Sequence, residues 1–130
     1  MTYLLDVNAL LALAHASHEL HGRAESWVRR LGRDDRLATC AITELGFVRI
    51  GPQARLSPGV GRSVELLSAL KRSRRPCFAV LGDRLGCEAL PPWARSPAQT
   101  TDGHLVVLAR SCGARLATLD EGIPDAILIP

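Results

Sequence analysis

Read for the spacing of its apolar positions, the chain opens on a short apolar run, Thr2 to Leu5, followed at once by Val7 to Ala14, rich in helix-favouring Leu and Ala. That reads as a strand and then a buried helix. Between Ser17 and Leu31, Ala24, Trp27, Val28 and Leu31 recur at i, i+3, i+4 and i+7 with charged residues elsewhere, which predicts an amphipathic second helix. Arg36 to Ile42 reads as a strand, Glu44 to Ile50 as a short helix, and Gly51-Pro52 as its stop. Arg62 to Arg72 has helical spacing and ends in a basic run, and Cys77 to Leu81 predicts a third strand. After a proline-marked loop (Pro91, Pro92, Pro97), Asp102 to Cys112 forms an amphipathic helix that Gly113 should end. Arg115 to Leu119 and Ala126 to Ile129 supply the last apolar runs.

Strands alternating with helices imply a parallel sheet covered on both faces, because parallel neighbours need crossover connections. The expected fold class is therefore α/β, with four to five parallel strands. At 130 residues and 47% hydrophobic content, one domain spanning 1–130 can bury a core without disulfides or a structural metal. The four cysteines are dispersed, with no Cys-x-x-Cys pair, and are expected to be buried thiols of a reducing cytosol. The longest apolar stretch is too short to span a bilayer and no basic leader opens the chain, so a soluble, cytoplasmic protein is expected. A net charge of +3 permits a polyanionic partner without requiring one.

In a parallel sheet every strand's carboxyl end lies on one edge, where ligands bind near the switch in strand order. Asp6, Glu44, Asp83 and Asp120 follow the four predicted strands, and Asp102 opens the last long helix on its core-facing stripe. Converging carboxylates repel one another and raise each other's pKa unless a cation neutralises them. A hard divalent ion with oxygen ligands, such as Mg²⁺, suits that set, and metal-assisted phosphodiester hydrolysis is the matching reaction class. Taken singly, each acid also has an ordinary structural reading as a helix cap, a first-turn residue or a turn.

Three blocks, LLDVNALLAL, TELGFVR and TTDGHLVVLARSCGARLATLDEGI, resemble the signature blocks of PIN-domain ribonucleases of the VapC toxin family. The resemblance covers essentially the whole chain, with Ser57 to Ala98 contributing little. It implies a PIN-like α/β/α sandwich and a metal-dependent endoribonuclease, the toxin of a toxin–antitoxin pair. By that resemblance Asp6, Glu44, Asp102 and Asp120 form the acidic quartet around Mg²⁺ or Mn²⁺, Asp6 and Asp102 being most directly tied to the metal. Asn8 and Thr118 match orienting positions, and Arg49 is expected to pair with a nearby acid. Implied partners are an RNA substrate such as tRNA or rRNA, a small VapB-like antitoxin and a second copy of the chain, with Trp27 or Trp93 as interface residues. Glu121 departs from the basic or neutral residue usual at its position, and Gly103 softens the helix start.

Asp83 is left out of the site: it follows the third strand, which the PIN order implied by the resemblance places at the sheet edge, and it reads as a helix N-cap. His15, His18 and His21 straddle a break between helices, which argues against a metal role, and His104 projects from another helix face than Asp102. Lys71, Arg72, Arg74 and Arg75 end a helix, where cations are favoured, and gripping phosphate is their functional alternative. A non-catalytic PIN-like module that binds RNA or protein is the competing reading, and the intact acids argue against it. A phosphoacceptor receiver and a haloacid-dehalogenase-like phosphatase both need a second acid near Asp6, and Asn8 is not one.

Overall fold

The computed structural model describes all 130 residues. In chain order the elements are β1 (Thr2–Leu5), α1 (Val7–Ala14), α2 (His21–Arg29), β2 (Arg36–Cys40), α3 (Ala41–Gln53), α4 (Val60–Lys71), β3 (Cys77–Leu81), α5 (Thr100–Ser111), β4 (Arg115–Thr118) and β5 (Ile127–Leu128). Two single-turn 3-10 segments, Cys87–Ala89 and Pro97–Gln99, interrupt the proline-marked loop. The five strands are all parallel, in the order β3-β2-β1-β4-β5. β3 lies at an edge, as expected.

The two-residue period of a strand sends adjacent side chains to opposite faces, and the core divides accordingly. Leu5, Leu37 and Ala117 join α1, α2, α3 and α4 in one cluster that contains Leu10, Trp27, Phe47 and Leu67. Their neighbours Leu4, Ala38 and Leu116 join α5 in the other, with Leu105, Leu108 and Ala109. The sheet is thus the middle layer of three, with α1–α4 on one side and α5 on the other. No helix is long and apolar enough to cross a membrane.

Several boundaries differ from the sequence reading for local reasons. β2 stops at Cys40 and α3 starts at Ala41, because the Thr43 hydroxyl accepts the Cys40 N–H at 3.0 Å and begins the helix directly from the strand. At its other end α3 runs through Pro52, whose missing N–H costs the last turn one helical hydrogen bond, and ends at Gln53. Gly51 does not stop the helix. It is buried where a Cβ would meet the Ser63 hydroxyl at 3.1 Å, so it permits the close approach of α3 and α4. α2 begins only at His21, because the His18 imidazole takes the Leu20 N–H at 3.0 Å and holds residues 16–20 as turns.

Two expectations about side chains are corrected. Of the cysteines only Cys40 is buried; Cys77, Cys87 and Cys112 are exposed, lying at or beyond element ends rather than on core-facing positions. Trp27 is core, not interface: it is 8% exposed and stands edge-on to Tyr3 at 5.2 Å, while Trp93 is half-buried against the α5 cluster. The large exposed apolar side chains are instead Ile42, Leu45, Val60 and Val64 on α3 and α4, with Val80 and Leu128 on the edge strands and Met1 at the terminus.

Candidate active site

The strand order runs outward from β1 through β2 to β3 and then returns to β4, so the switch point falls between β1 and β4. Crevices form at such points, outside the carboxyl ends of the strands. Asp6 leaves β1 there, with its N–H donating to the Ala117 carbonyl of β4 at 3.2 Å. Asp120 follows the end of β4, and α5, which feeds β4, carries Asp102 in its first turn. Asp6, Asp102 and Asp120 line one cleft of about 310 Å³ together with Asn8, Arg49 and Thr101.

Asp6 is fixed twice over. It is the N-cap of α1, accepting the Ala9 N–H at 2.7 Å, which satisfies one of the helix's orphan donors. Its side chain also accepts from the Thr118 hydroxyl, and the same hydroxyl accepts the Asp120 N–H at 3.0 Å. Thr118 is fully buried, so this one oxygen links two acids of the cleft. Burial pushes the Asp6 carboxyl up to about 6; the hydrogen bonds from Thr118 and Ala9 oppose the rise, and the charges of Asp120 and Asp102 add to it. Asp102 is raised as well, first by burial and then by Asp120. The three acids share one electrostatic field, and a cation in the cleft would relieve all of them.

The donor set is all oxygen, which fits a hard divalent ion. No group of three or more His, Cys, Asp and Glu side chains is placed to hold a metal ion together, so an ion here would rest on one or two carboxylates and its own waters, as Mg²⁺ characteristically does. Residues and ion are therefore compatible.

Glu44 is held apart from this cleft's lining. Its Oε1 accepts from the Thr39 hydroxyl at 2.7 Å and from Lys71 Nζ at 2.5 Å, so it is neutralised by a residue at the end of α4. Lys71 thus grips a carboxylate rather than waiting for a phosphate. Arg49 forms no ion pair with any acid, contrary to expectation; it is exposed and lines the acidic cleft. Asn8 also lines the cleft, and its Oδ1 lies 3.1 Å from His18 Nε2, which ties α1 to the following turn.

Asp83 is not a helix N-cap: it accepts the Leu85 N–H at 2.9 Å within a loop and pairs with His104 Nε2 at 2.5 Å. That pair occupies His104 and leaves it outside the cleft lining. The other histidines are spent on packing: His15 stacks on Phe47 and bonds the Leu11 carbonyl at 3.0 Å, and His21 bonds the Ala12 carbonyl at 2.8 Å. Gly103 proves to be required for space, since a Cβ there would stand 2.8 Å from Ala94 Cβ and 3.1 Å from Pro91 Cδ. Sequence reasoning overlooked Thr101 as a lining residue; its place one position before Asp102 was the available signal.

No protein-family model matches the chain. Curated relatives do. Ribonuclease VapC38 of Mycobacterium tuberculosis is 38% identical over 132 residues, covering 92% of this chain and 86% of the relative. Ribonuclease VapC29 of the same species is 35% identical over 136 residues, covering 100% and 98%. Among solved structures, the fold is shared with M. tuberculosis VapC20, described as a sarcin-ricin loop cleaving toxin, at a TM-score of 0.64 and 14% identity over 92% of this chain and 90% of that one. It is shared also with VapBC-1 of nontypeable Haemophilus influenzae, at a TM-score of 0.56 and 25% identity over 91% and 86%. The full-length identity to several VapC ribonucleases, on a five-stranded parallel sheet with acids at its switch point, makes this chain a member of the VapC ribonuclease family.

Proposed function

We propose that residues 1–130 act as one PIN domain that hydrolyses RNA phosphodiesters in the cleft between Asp6, Asp102 and Asp120, with Mg²⁺ or Mn²⁺ as cofactor. The observation that carries this reading is the convergence of those three carboxylates at the switch point, with two of them raised in pKa by burial and by mutual repulsion. Asp6 and Asp102 would hold the ion, with Asp120 reaching it directly or through water. When bound, the ion supplies Lewis acidity and a water of lowered pKa.

The remaining chemistry belongs to the chain. Thr118 fixes the Asp6 carboxylate and the backbone of Asp120, and Asn8 lines the cleft from the first turn of α1. Arg49 brings a guanidinium without a carboxylate partner to the cleft, where its planar fork suits a phosphate. Glu44 is the fourth acid of the set in this reading, neutralised by Lys71 at 2.5 Å at the exit of β2.

The substrate in this reading is a folded RNA such as tRNA or rRNA, in the cytoplasm. The partners are a VapB-like antitoxin and a second copy of the chain. Ile42 and Leu45 at the start of α3, and Val60 and Val64 at the start of α4, are exposed apolar side chains open to such partners.

The test is to incubate wild-type chain and Asp6→Asn with total tRNA and ribosomal RNA, with Mg²⁺, with Mn²⁺ and with EDTA, and to map the cut ends. Cuts that require the metal and disappear in the variant are expected. Intact RNA under every condition, from antitoxin-free protein, would replace the nuclease by a non-catalytic binding module.

A further inference from the structure

A cleft larger than the acidic one lies at the other end of the sheet. It forms where the turn after α2 enters β2 and where the segment after α4 enters β3, and it measures about 570 Å³. Arg29, Arg33, Arg36, Arg74 and Arg75 line it. Strands of four to five residues, rising about 3.3 Å per residue, separate this edge from the acidic one by roughly 15 Å.

The charges there are largely uncompensated. Asp35 is taken by the Met1 ammonium at 3.2 Å and by the Gly32 N–H at 2.7 Å, and Arg29 is taken by Glu25 at 2.9 Å. Arg33, Arg36, Arg74 and Arg75 form no ion pair, and all four are exposed. Among the lining residues only Asp34 remains as an acid without a cationic partner. Several guanidinium groups around one concavity repel each other, and low-dielectric walls focus the resulting field on whatever anion enters. Guanidinium forks match phosphate oxygens two by two.

We propose that this arginine cleft is a second contact for the phosphate backbone of RNA, anchoring a substrate whose scissile segment lies at the acidic edge. The inference rests on the ribonuclease reading above for its choice of polyanion. The lining favours a backbone over a free nucleotide, because it holds no aromatic side chain on which a base could stack, and phosphate contacts need none. The reach is short: roughly 15 Å is under half of a duplex turn of about 34 Å, so one folded RNA can touch both ends of the sheet. Such a contact adds affinity and register without reading sequence.

The experiment measures RNA binding without cleavage. A fluorescent 30-nucleotide hairpin RNA is titrated with Asp6→Asn chain in EDTA, followed by anisotropy between 50 and 200 mM salt, beside Arg36→Ala/Arg74→Ala and a charge-matched control, Arg62→Ala/Arg110→Ala, in the same background. The cleft variant should bind at least about 5-fold more weakly and lose about two from the slope of log affinity against log salt, while the control changes less than about 2-fold. Arg36→Lys/Arg74→Lys should keep most of the salt slope, which guards against misfolding of the alanine variant.

Equal losses in the cleft and control variants would overturn the assignment. So would a polyglutamate peptide or pyrophosphate whose binding depends on Arg36 and Arg74 while RNA binding does not. Cleavage by the otherwise wild-type chain is assayed separately: arginine-dependent binding without cleavage would sink the catalytic reading and leave the anchor standing, and cleavage with no dependence of binding on these arginines would do the reverse.

Discussion

Lys71 Nζ lies 2.5 Å from Glu44 Oε1, joining the end of α4 to the first turn of α3. Both side chains are a little over a quarter exposed, at 28% and 27%, so the pair is partly desolvated and stronger than a surface ion pair, though still open to screening. The contact has two consequences: it ties two helices of one layer together, and it neutralises the acid that follows β2. Lys71→Met should therefore lower stability by about 1 kcal/mol while raising the affinity for Mg²⁺ several-fold, because a cation leaves the neighbourhood and Glu44 is freed. Urea denaturation and a Mg²⁺ titration of cleavage rate read the two effects separately. A fall in metal affinity would show that Lys71 supports the site rather than restraining it.

The raised Asp6 carboxyl makes the stability of the metal-free chain depend on pH. Its folded-state value of about 6 lies above the ordinary carboxylate range, with burial as the leading cause. The native state then binds the proton more tightly than the unfolded chain does. The associated stability is complete below about pH 4 and disappears as pH rises through about 6, a loss of roughly 3 kcal/mol for a shift of two units. Asp6→Asn keeps an N-cap acceptor and removes the titration. In EDTA the variant should be the more stable protein at pH 7.5, with the gap closing towards pH 4.5. Denaturant midpoints at the two pH values check this, and added Mg²⁺ should stabilise the wild type alone at pH 7.5. A pH-independent difference would mean that Asp6 is not desolvated as described.

Periodicity exposed most of the fold. The alternation that sends Leu4 and Leu5 to opposite clusters, and the i, i+3, i+4 spacing that places Leu105, Leu108 and Ala109 on one core, are local signals carried by the chain itself. The strand exits placed Asp6 and Asp120 correctly, because a parallel sheet puts all such exits on one edge. Other features depended on long-range geometry. Glu44 follows β2 as expected, but its partner Lys71 is 27 residues away, and nothing in the spacing of either reveals the contact. The arginine cleft combines residues 28–36 with 74–77, two segments brought together only by the pairing of β2 with β3. Gly51 and Gly103 resemble breakers in sequence, yet both are buried in helices and needed for close packing against a neighbour that sequence does not specify.

Gly46 shows how closely α1 and α3 approach beside the site. A Cβ at Gly46 would stand 2.5 Å from Val7 Cγ2, and Val7 directly follows Asp6. Gly46→Ala must push Val7 aside, a rearrangement that costs about 1–3 kcal/mol in a packed core and displaces the cap of α1. Val7→Ala removes the clashing methyl groups, so Gly46→Ala/Val7→Ala should be more stable than the sum of the single changes predicts, by about 1 kcal/mol. Thermal unfolding of the four proteins measures that coupling. Strict additivity would show that the two helices separate easily and that the glycine is not needed for their approach.

Thr118 offers the sharpest separation of geometry from charge. Its hydroxyl donates to Asp6 and so opposes the rise in that carboxyl's pKa, while its oxygen accepts the Asp120 N–H at 3.0 Å. Thr118→Val keeps the shape and β-branching of the residue and removes both bonds. Asp6 then binds its proton more tightly, and the peptide leading into Asp120 loses its tether. The rising acid limb of the cleavage profile should move to higher pH, and the plateau rate should fall by about 10- to 100-fold, as is usual when a group that orients a metal ligand is lost. Thr118→Ser retains the hydroxyl and should restore the position of the acid limb even if packing lowers the rate somewhat. A Thr118→Val profile whose limb stays in place while the rate alone falls would mean that the hydroxyl holds Asp120 and leaves the protonation of Asp6 unaffected.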